Sequence, residues 1–253
     1  MGASTYLKVD DFSLLGSAFS LITKLASADM YSPRGIFIAA LVSFFALGSA
    51  LNIRSIAYYD PTVGGGSMLD NAGDRYGEPL NVIISGLSFP DVLTDDGILN
   101  YARAIGFSTE CLGIHIGNPQ SANLGDGNGY VNQTVELRED YGSVDAGTCL
   151  ESAIGGNHFR MYRQNGPLAN SGALFLAVSK EEPATDNHNI VPDGYDIGRD
   201  ELASWAVGQT SYGDVSYSTT AQNITGLLAP GSAGVNHGTP FTGPLVIFPP
   251  LSD

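Results

Sequence analysis

Two segments decide the fold: HFRMYRQ at residues 158–164 and ALFLAVS at residues 173–179. They are the two clearest strands of the chain, and the short turn Asn165-Gly166-Pro167 joins them. In the first strand apolar and polar side chains alternate, so Phe159 and Met161 share one face and are predicted to lie in the core. The opposite face is either solvated or lines a site, and it carries His158, Arg160, Tyr162 and Gln164.

Further elements surround this pair. Strands are predicted at residues 81–85, 112–116, 130–137, 215–218 and 245–248, and helices at about 95–105 and 201–207. Strands outnumber helices and do not alternate regularly with them, which favours a single α+β domain with a mixed or antiparallel sheet over residues 80–253. The loop 125–129 lacks the ligand pattern of an EF-hand and is predicted to be a turn.

The composition excludes several classes of protein. The 253 residues carry a formal net charge of −15, and a polyanionic chain repels phosphate backbones, so we expect no nucleic-acid partner. A hydrophobic content of 43% is enough for a packed core. The 32 glycines and 13 prolines favour a loop-rich domain.

The most apolar stretch, GIFIAALVSFFALGSAL at residues 35–51, contains no charge. As a helix it measures roughly 26 Å, close to the thickness of a bilayer core, and it gains length when extended to Ile53. Residues 35–53 are therefore predicted to form a transmembrane signal-anchor. Two alternatives stay open: a cleaved signal peptide with its small-residue site at Gly48-Ser49-Ala50, which would make the chain secreted, and a buried core helix.

The flanking charges predict the orientation. Lys24 and Arg34 before the span outweigh Arg54 after it, so residues 1–34 are expected in the cytosol and the remainder outside or in a lumen. Within that tail, the apolar spacing over residues 11–26 predicts an amphipathic helix, lying on the membrane or packing on nothing specific. Residues 54–79, which contain Gly64-Gly65-Gly66-Ser67, are predicted to be a flexible, Gly-rich stalk.

Two features agree with that topology. Asn132 and Asn223 each begin a glycosylation sequon, and both lie on the predicted outer side. Cys111 and Cys149 are the only cysteines, and in an oxidising compartment they are most simply one disulfide. The alternative, a nucleophilic cysteine with a histidine partner, requires an electropositive pocket.

The candidate site residues fall in two segments. The strand supplies His158 and Arg160, and the later stretch supplies His188, Asp196, Arg199 and Asp200. We expect His158, Arg160, His188 and Asp200 to lie together, because a covered strand face that carries charge needs partners. The group is either a structural ion-pair network or a general-base or metal site.

The metal interpretation has little support from spacing. The chain contains no H-E-x-x-H, H-x-H or C-x-x-C pattern, so the sequence predicts neither a metal site nor a cofactor. His115 and His237 have no evident partners in the sequence and are predicted to be structural.

Residues 80–205 resemble a set of uncharacterised secreted or membrane-anchored fungal proteins, and more loosely are similar to the LssY C-terminal domain family. The matching features are the strand at 81–86, Gly106-Phe107, His158-Phe159-Arg160, the strand at 174–179, His188, and Asp196 with Arg199-Asp200. The resemblance implies the fold and the placement outside the cytosol, and it implies no activity.

Two functions follow from these expectations. The first is a single-pass, membrane-anchored, glycosylated ectodomain that binds a surface protein or glycan or contributes to the cell envelope. The second is an extracellular hydrolase-like enzyme that uses His158, His188 and Asp200. The sequence does not indicate an oligomeric state.

Overall fold

The computed structural model describes residues 56–73, 75–115, 118–241, 245–248 and 250–252, the last two ranges by their backbone alone. The expected cytosolic tail at 1–34 and the expected transmembrane span at 35–53 lie outside these residues. Residues Arg54–Asp253 form one compact unit. Within the described ranges, every helix is too short or too polar to cross a bilayer.

The described residues form three α-helices and twelve strands. The helices are α1 (Asp95–Ala104), α2 (Gly147–Ile154) and α3 (Gly194–Ala206). The strands are β1 (Val82–Ile84), β2 (Phe107–Thr109), β3 (Ser121–Asn123), β4 (Tyr130–Asn132), β5 (Val135–Glu139), β6 (Gly156–Arg163), β7 (Leu174–Glu181), β8 (Gly208–Tyr212), β9 (Val215–Thr219), β10 (Gln222–Ile224), β11 (Leu245–Phe248) and β12 (Pro250–Ser252).

The main sheet has seven strands in the order β10-β11-β1-β7-β6-β5-β2. Strands β1 and β11 run parallel, and the other neighbours in this sheet are antiparallel. The expected hairpin of β6 and β7 is its centre, with Phe159 opposite Val178. A three-stranded sheet, β12-β9-β8, and the hairpin β3-β4 complete the domain. The predicted α+β class with a mixed or antiparallel sheet is confirmed.

One face of the main sheet forms the larger apolar core. Phe159 and Met161 of β6 lie on this face, as the alternation predicts, and both are buried. Helices α1 and α3 cover them with Ile98, Tyr101 and Leu202. The sheet is therefore closed to water on this side by two amphipathic helices.

The second face is covered by the segment that was predicted to be a stalk. Met68 and Leu80 are buried against Ile83 and Phe175 of the sheet, and the backbone of Leu69 pairs with Pro79. Residues 58–79 therefore belong to the domain and are not a flexible stalk. The expectation was wrong because the sparse apolar residues of a Gly-rich segment do not show the period of a helix or a strand, although they bury well.

Three predicted elements have different bounds. Residues 112–116 were expected as a strand, but Cys111–Gly113 is a 3-10 helix. The strand expected at 130–137 is two strands in different sheets, β4 and β5. The helix expected at 201–207 is α3, which already begins at Gly194. Gly194 and Gly198 weaken its helical signal, and Gly198 is required because a Cβ there would lie 2.7 Å from the Ser179 carbonyl carbon.

The predicted disulfide is confirmed. Cys111 and Cys149 are bonded, with their Cα atoms 4.6 Å apart. The bond joins the 3-10 helix after β2 to helix α2, across 38 residues of sequence. It fixes the segment that leads to His115 against the edge of the main sheet.

Candidate functional site

The second face of the main sheet carries a buried cluster of ionisable side chains, called here the charged cluster. Its members are Asp70, Glu78, Glu110, His115, Glu136, Arg138, Glu151, His158, Arg160, Tyr162, Glu181 and His188. Strand register assembles its centre, because Glu136 of β5 lies opposite Arg160 of β6 and Arg138 lies opposite His158. Cross-strand neighbours on one face are close enough for direct ion pairs.

Arg160 occupies the middle of the cluster. Its guanidinium Nη1 donates to Glu78 Oε2 at 2.8 Å, and its Nε lies 3.2 Å from Glu136 Oε2. Burial alone would lower the pKa of Arg160, but Glu78, Glu136 and other carboxylates raise it. Arg160 therefore stays charged and links the covering segment to the sheet.

Arg138 links the cluster to helix α2. Its Nη1 donates to both carboxylate oxygens of Glu151, at 3.3 and 3.1 Å, and to Glu181 Oε2 at 3.0 Å. Its Nη2 donates to Glu136 Oε1 at 2.7 Å. The pKa of Glu151 is raised to about 6 by burial, against the opposing charge of Arg138. A single guanidinium thus donates hydrogen bonds to three carboxylates, and its Nε lies 3.8 Å from a fourth, that of Glu110.

His158 is fully buried and acts as a hydrogen-bond acceptor. Arg160 Nη1 lies 3.0 Å from His158 Nε2, and since a guanidinium only donates, the imidazole nitrogen must accept. Burial, followed by the charges of Arg160 and Arg138, lowers the pKa of His158 well below its usual value. His158 is therefore neutral and orients Arg160.

At the inner end of the cluster, the carboxyl group of Asp70 lies beside Tyr162 and Glu78. Tyr162 donates its hydroxyl to Asp70 Oδ2 at 2.7 Å, and the backbone N–H of Glu78 donates to Asp70 Oδ1 at 2.7 Å. Burial, together with the charge of Glu78, raises the pKa of Asp70 to about 7. The Asp70 carboxyl is buried in the domain, although Asp70 belongs to the segment that was predicted to be a stalk.

Glu181, at the end of β7, lies between two histidines. Its Oε1 is 3.5 Å from His158 Nε2, and its Oε2 is 3.4 Å from His188 Nδ1. Burial raises the pKa of Glu181 to about 7, although Arg138 opposes the shift. Asn187 and His188 both adopt left-handed backbone angles, with φ of 61° and 52°, a conformation enriched at functional sites.

The cluster reaches solvent at two histidines. The side chain of His188 is 34% exposed and that of His115 is 35% exposed, while His158 at the floor is fully buried. His115 Nδ1 lies 2.8 Å from Glu110 Oε2 and 3.9 Å from Glu136 Oε2. His115 thus has a specific partner, which the sequence did not reveal.

The charges of the cluster do not balance. Six carboxyl groups, those of Asp70, Glu78, Glu110, Glu136, Glu151 and Glu181, face the guanidinium groups of Arg138 and Arg160. Burial raises the pKa of Glu110 as well, and the nearby charge of Glu136 adds to that shift. A buried excess of carboxylate is compensated by protonation or by a bound cation.

The structure brings together part of the predicted site. His158, Arg160 and His188 lie in the charged cluster, joined through Glu181. Asp200 does not join them, because its side chain is 67% exposed and pairs with Arg199 at 2.7 Å. The expectation failed since α3 begins at Gly194, which places Arg199 and Asp200 inside the helix rather than at its start.

Asp196 and Arg199 form a separate structural unit on α3. Arg199 Nη1 donates to Asp196 Oδ1 at 2.8 Å, one helical turn away. The guanidinium carbon of Arg199 lies 5.4 Å from the centre of the Phe241 ring. These contacts anchor the chain near Phe241 to the helix and do not involve the charged cluster.

Sequence reasoning missed the carboxylates of the cluster. A detectable signal was the alternation of Glu136 and Arg138 along β5, which gives that strand a charged face like that of β6. Glu181 shares a face of β7 with Phe175 and Ala177, so its burial could also have been expected from the alternation of that strand. Asp70 and Glu78 gave no signal, because they lie in a segment without periodicity.

Two cavities of the described domain lie apart from the ion pairs of the cluster, although Tyr162 of the cluster borders one of them. One is lined by the apolar side chains of Ile84, Tyr101 and Phe159, and the other lies beside Asp126 and Tyr162. Each leaves about 10 Å³, close to the space of a single water molecule. Neither is large enough to hold a small-molecule substrate.

Asp126 confirms the turn expected at residues 125–129. Its carboxylate accepts hydrogen bonds from the backbone N–H groups of Asn128, Asn165 and Gly166 at 3.0, 3.1 and 2.8 Å. The loop is thereby tied to the β6–β7 connection, and its carboxylate is occupied by backbone donors.

Comparison with known proteins adds no relative: no family model, no curated protein and no solved structure matches the chain.

Proposed function

We propose that this chain is a single-pass membrane protein anchored by residues 35–53. Its glycosylated ectodomain binds a surface protein or a glycan. The observation that carries the proposal is the Cys111–Cys149 disulfide, because such bonds persist mainly in oxidising compartments. The exposed side chains of Asn132 and Asn223 support it, since a sequon must be accessible to be glycosylated.

The binding role is preferred over catalysis on two grounds. The ionisable residues of the cluster form ion pairs with one another, as the members of structural networks do. The two cavities described above are too small for a substrate. A surface partner or glycan needs no such recess and could contact the open end of the cluster at His115 and His188.

Topology and glycosylation test the proposal together. We expect the full-length protein, expressed in a secretory host, to shift in mobility after endoglycosidase treatment. Asn132→Gln and Asn223→Gln should each remove one glycan, whereas Asn170→Gln, which lies outside any sequon, should change nothing. Protease treatment of intact cells should digest a C-terminal tag and spare an N-terminal tag. A digested N-terminal tag, or a mature chain that begins near Leu51, contradicts the anchor.

The second candidate is an extracellular hydrolase-like enzyme, with Glu181 in the place expected for Asp200. It is favoured by one observation: Glu181, whose pKa is raised to about 7, lies between His158 and the partly exposed His188. Turnover of p-nitrophenyl esters, phosphates or glycosides by the full-length protein tests it. Activity lost in Glu181→Gln and His188→Ala but kept in His237→Ala supports the enzyme. Absence of turnover supports the binding role.

A further inference from the structure

We propose that Glu110, His115 and Glu136 bind a divalent transition-metal cation, zinc or manganese, at the open end of the charged cluster. One ligand atom from each of the three residues lies within 4.8 Å of the other two. This site goes beyond the proposed ectodomain function and does not depend on the membrane topology.

The distances suit a small cation. Ligand atoms about 2.1 Å from a tetrahedral metal ion are separated from one another by roughly 3.4 Å. His115 Nδ1 lies 2.8 Å from Glu110 Oε2 and 3.9 Å from Glu136 Oε2, so the present separations bracket that spacing. The three ligand atoms all lie within 4.8 Å of one another, so side-chain rotation at the partly exposed His115 and at Glu110 would bring them to that spacing.

The donor types select the metal. One imidazole nitrogen with two carboxylate oxygens matches zinc and manganese, whereas magnesium and calcium prefer oxygen ligands alone. Three protein ligands leave at least one coordination position for water or for a group of a bound partner. The 35% exposure of the His115 side chain provides a path from solvent.

The scaffold around the ligands is rigid. Glu110 directly precedes Cys111, whose disulfide to Cys149 fixes the segment carrying Glu110 and His115. Glu136 is held on β5, where Arg138 binds its Oε1 and the side-chain amide of Gln133 donates to its Oε2 at 3.1 Å. Hydrogen bonds of this kind orient a carboxylate ligand and tune its affinity for a metal.

A buried oxygen atom without a hydrogen-bond donor is a second observation that favours a bound cation. The side-chain oxygen of Gln120 is buried without a hydrogen-bond partner among the described residues, while its nitrogen lies 3.4 Å from Glu78 Oε1. An unpaired amide oxygen therefore belongs to a side chain that borders the charged cluster at Glu78. Arg160 Nε and Gln133 already contact Glu136 Oε2, but six carboxyl groups against two guanidinium groups leave an excess of negative charge that a bound cation offsets.

Titration calorimetry of the chelator-treated, full-length protein with zinc chloride or manganese chloride tests the site. We expect one ion per chain, and an affinity lowered at least about tenfold by His115→Ala and by Glu110→Gln. The matched controls His237→Ala and Glu182→Gln should bind as the wild type does. No binding by either metal overturns the proposal, and so does an affinity that neither variant changes.

A measurement on the wild-type protein avoids the question of whether the variants fold. The chain has four histidines, so their ring-proton NMR signals are few. Substoichiometric manganese should broaden the signal of His115 first and leave that of His237 sharp. Broadening of His237 first, or of all four signals equally, overturns the site.

Discussion

The two faces of strand β6 present the same backbone with opposite chemistry. Phe159 and Met161 point into an apolar core covered by α1 and α3, whereas His158 and Arg160 point into the charged cluster covered by the segment around Met68. Burial on the apolar face is non-directional and tolerates changes of shape. Burial on the charged face depends on specific partners, so each member requires the others.

Substitutions on the two faces should therefore destabilise the fold in different ways. On the apolar face, Phe159→Ala should remove about 3–5 kcal/mol at any pH, because it only creates a cavity. On the charged face, the loss caused by a substitution should depend on pH, since carboxylates left without a partner can become protonated.

The largest effect is expected for Arg138→Met. This change leaves Glu136, Glu151 and Glu181 without their shared guanidinium, and stranding buried charge costs about 3–5 kcal/mol. Urea unfolding at neutral pH measures the loss, and the loss should shrink at pH 5.5. Lys180→Met is the matched control, because its pair with Glu201 is partly exposed and worth less than about 1 kcal/mol. Equal losses for both variants contradict the prediction.

The disulfide is expected to have the next largest effect. Replacing Cys111 and Cys149 by serine should lower the free energy of unfolding by about 2–4 kcal/mol, because the unfolded chain is no longer constrained by the closed loop. The loss of stability should also differ between the two faces of the main sheet. Hydrogen exchange should accelerate around β2 and α2 beside the charged cluster, and remain slow in α3 over the apolar core.

A smaller effect, visible as a pH dependence, is expected for Glu181→Gln. The pKa of Glu181 rises from 4.5 to about 7 on folding, so the folded state binds a proton that the unfolded state releases. The stability gained this way is complete below pH 4.5 and is lost as the pH rises through 7. Removing the carboxyl should reduce the stability difference between pH 5 and pH 7.5 by about 2 kcal/mol.

Other ionisable groups whose pKa values change on folding also contribute to the pH dependence of stability, so this measurement needs a control. Asp70 acts in the same direction as Glu181, whereas His158 and His188, whose pKa values are lowered, weaken the fold as the pH falls below their usual range. The wild-type profile contains these contributions and those of Glu110, Glu139 and Glu151, whose pKa values burial also raises, so the informative quantity is its difference from the variant profile. Phe159→Leu should shift that profile without changing its slope, and an unchanged slope in Glu181→Gln would falsify the assignment.

The same contrast explains how far the sequence could predict the structure. Alternation along residues 158–164 correctly placed Phe159 and Arg160 on opposite faces, because a strand has a fixed period. The cover of the charged face was not predictable, since Met68 and Leu80 lie in a segment without period. Asp200 was expected beside His158, Arg160 and His188, and Glu181 lies there instead, because strand register and the start of α3 are set by tertiary packing.

The smallest effect is expected for Asp200→Ala, because Asp200 lies on the exposed surface of α3 and belongs to neither face of the main sheet. Asp200 is exposed and pairs with Arg199, and an exposed pair is worth about 0–1 kcal/mol. Arg199 remains paired with Asp196 and packed over the Phe241 ring after the change, so no charge is stranded. Urea unfolding should therefore show a loss below about 1 kcal/mol without pH dependence, and Asp196→Ala, which removes the more buried partner, should cost more. A loss of several kcal/mol in Asp200→Ala would instead place this carboxylate in the buried network with His158 and Arg160.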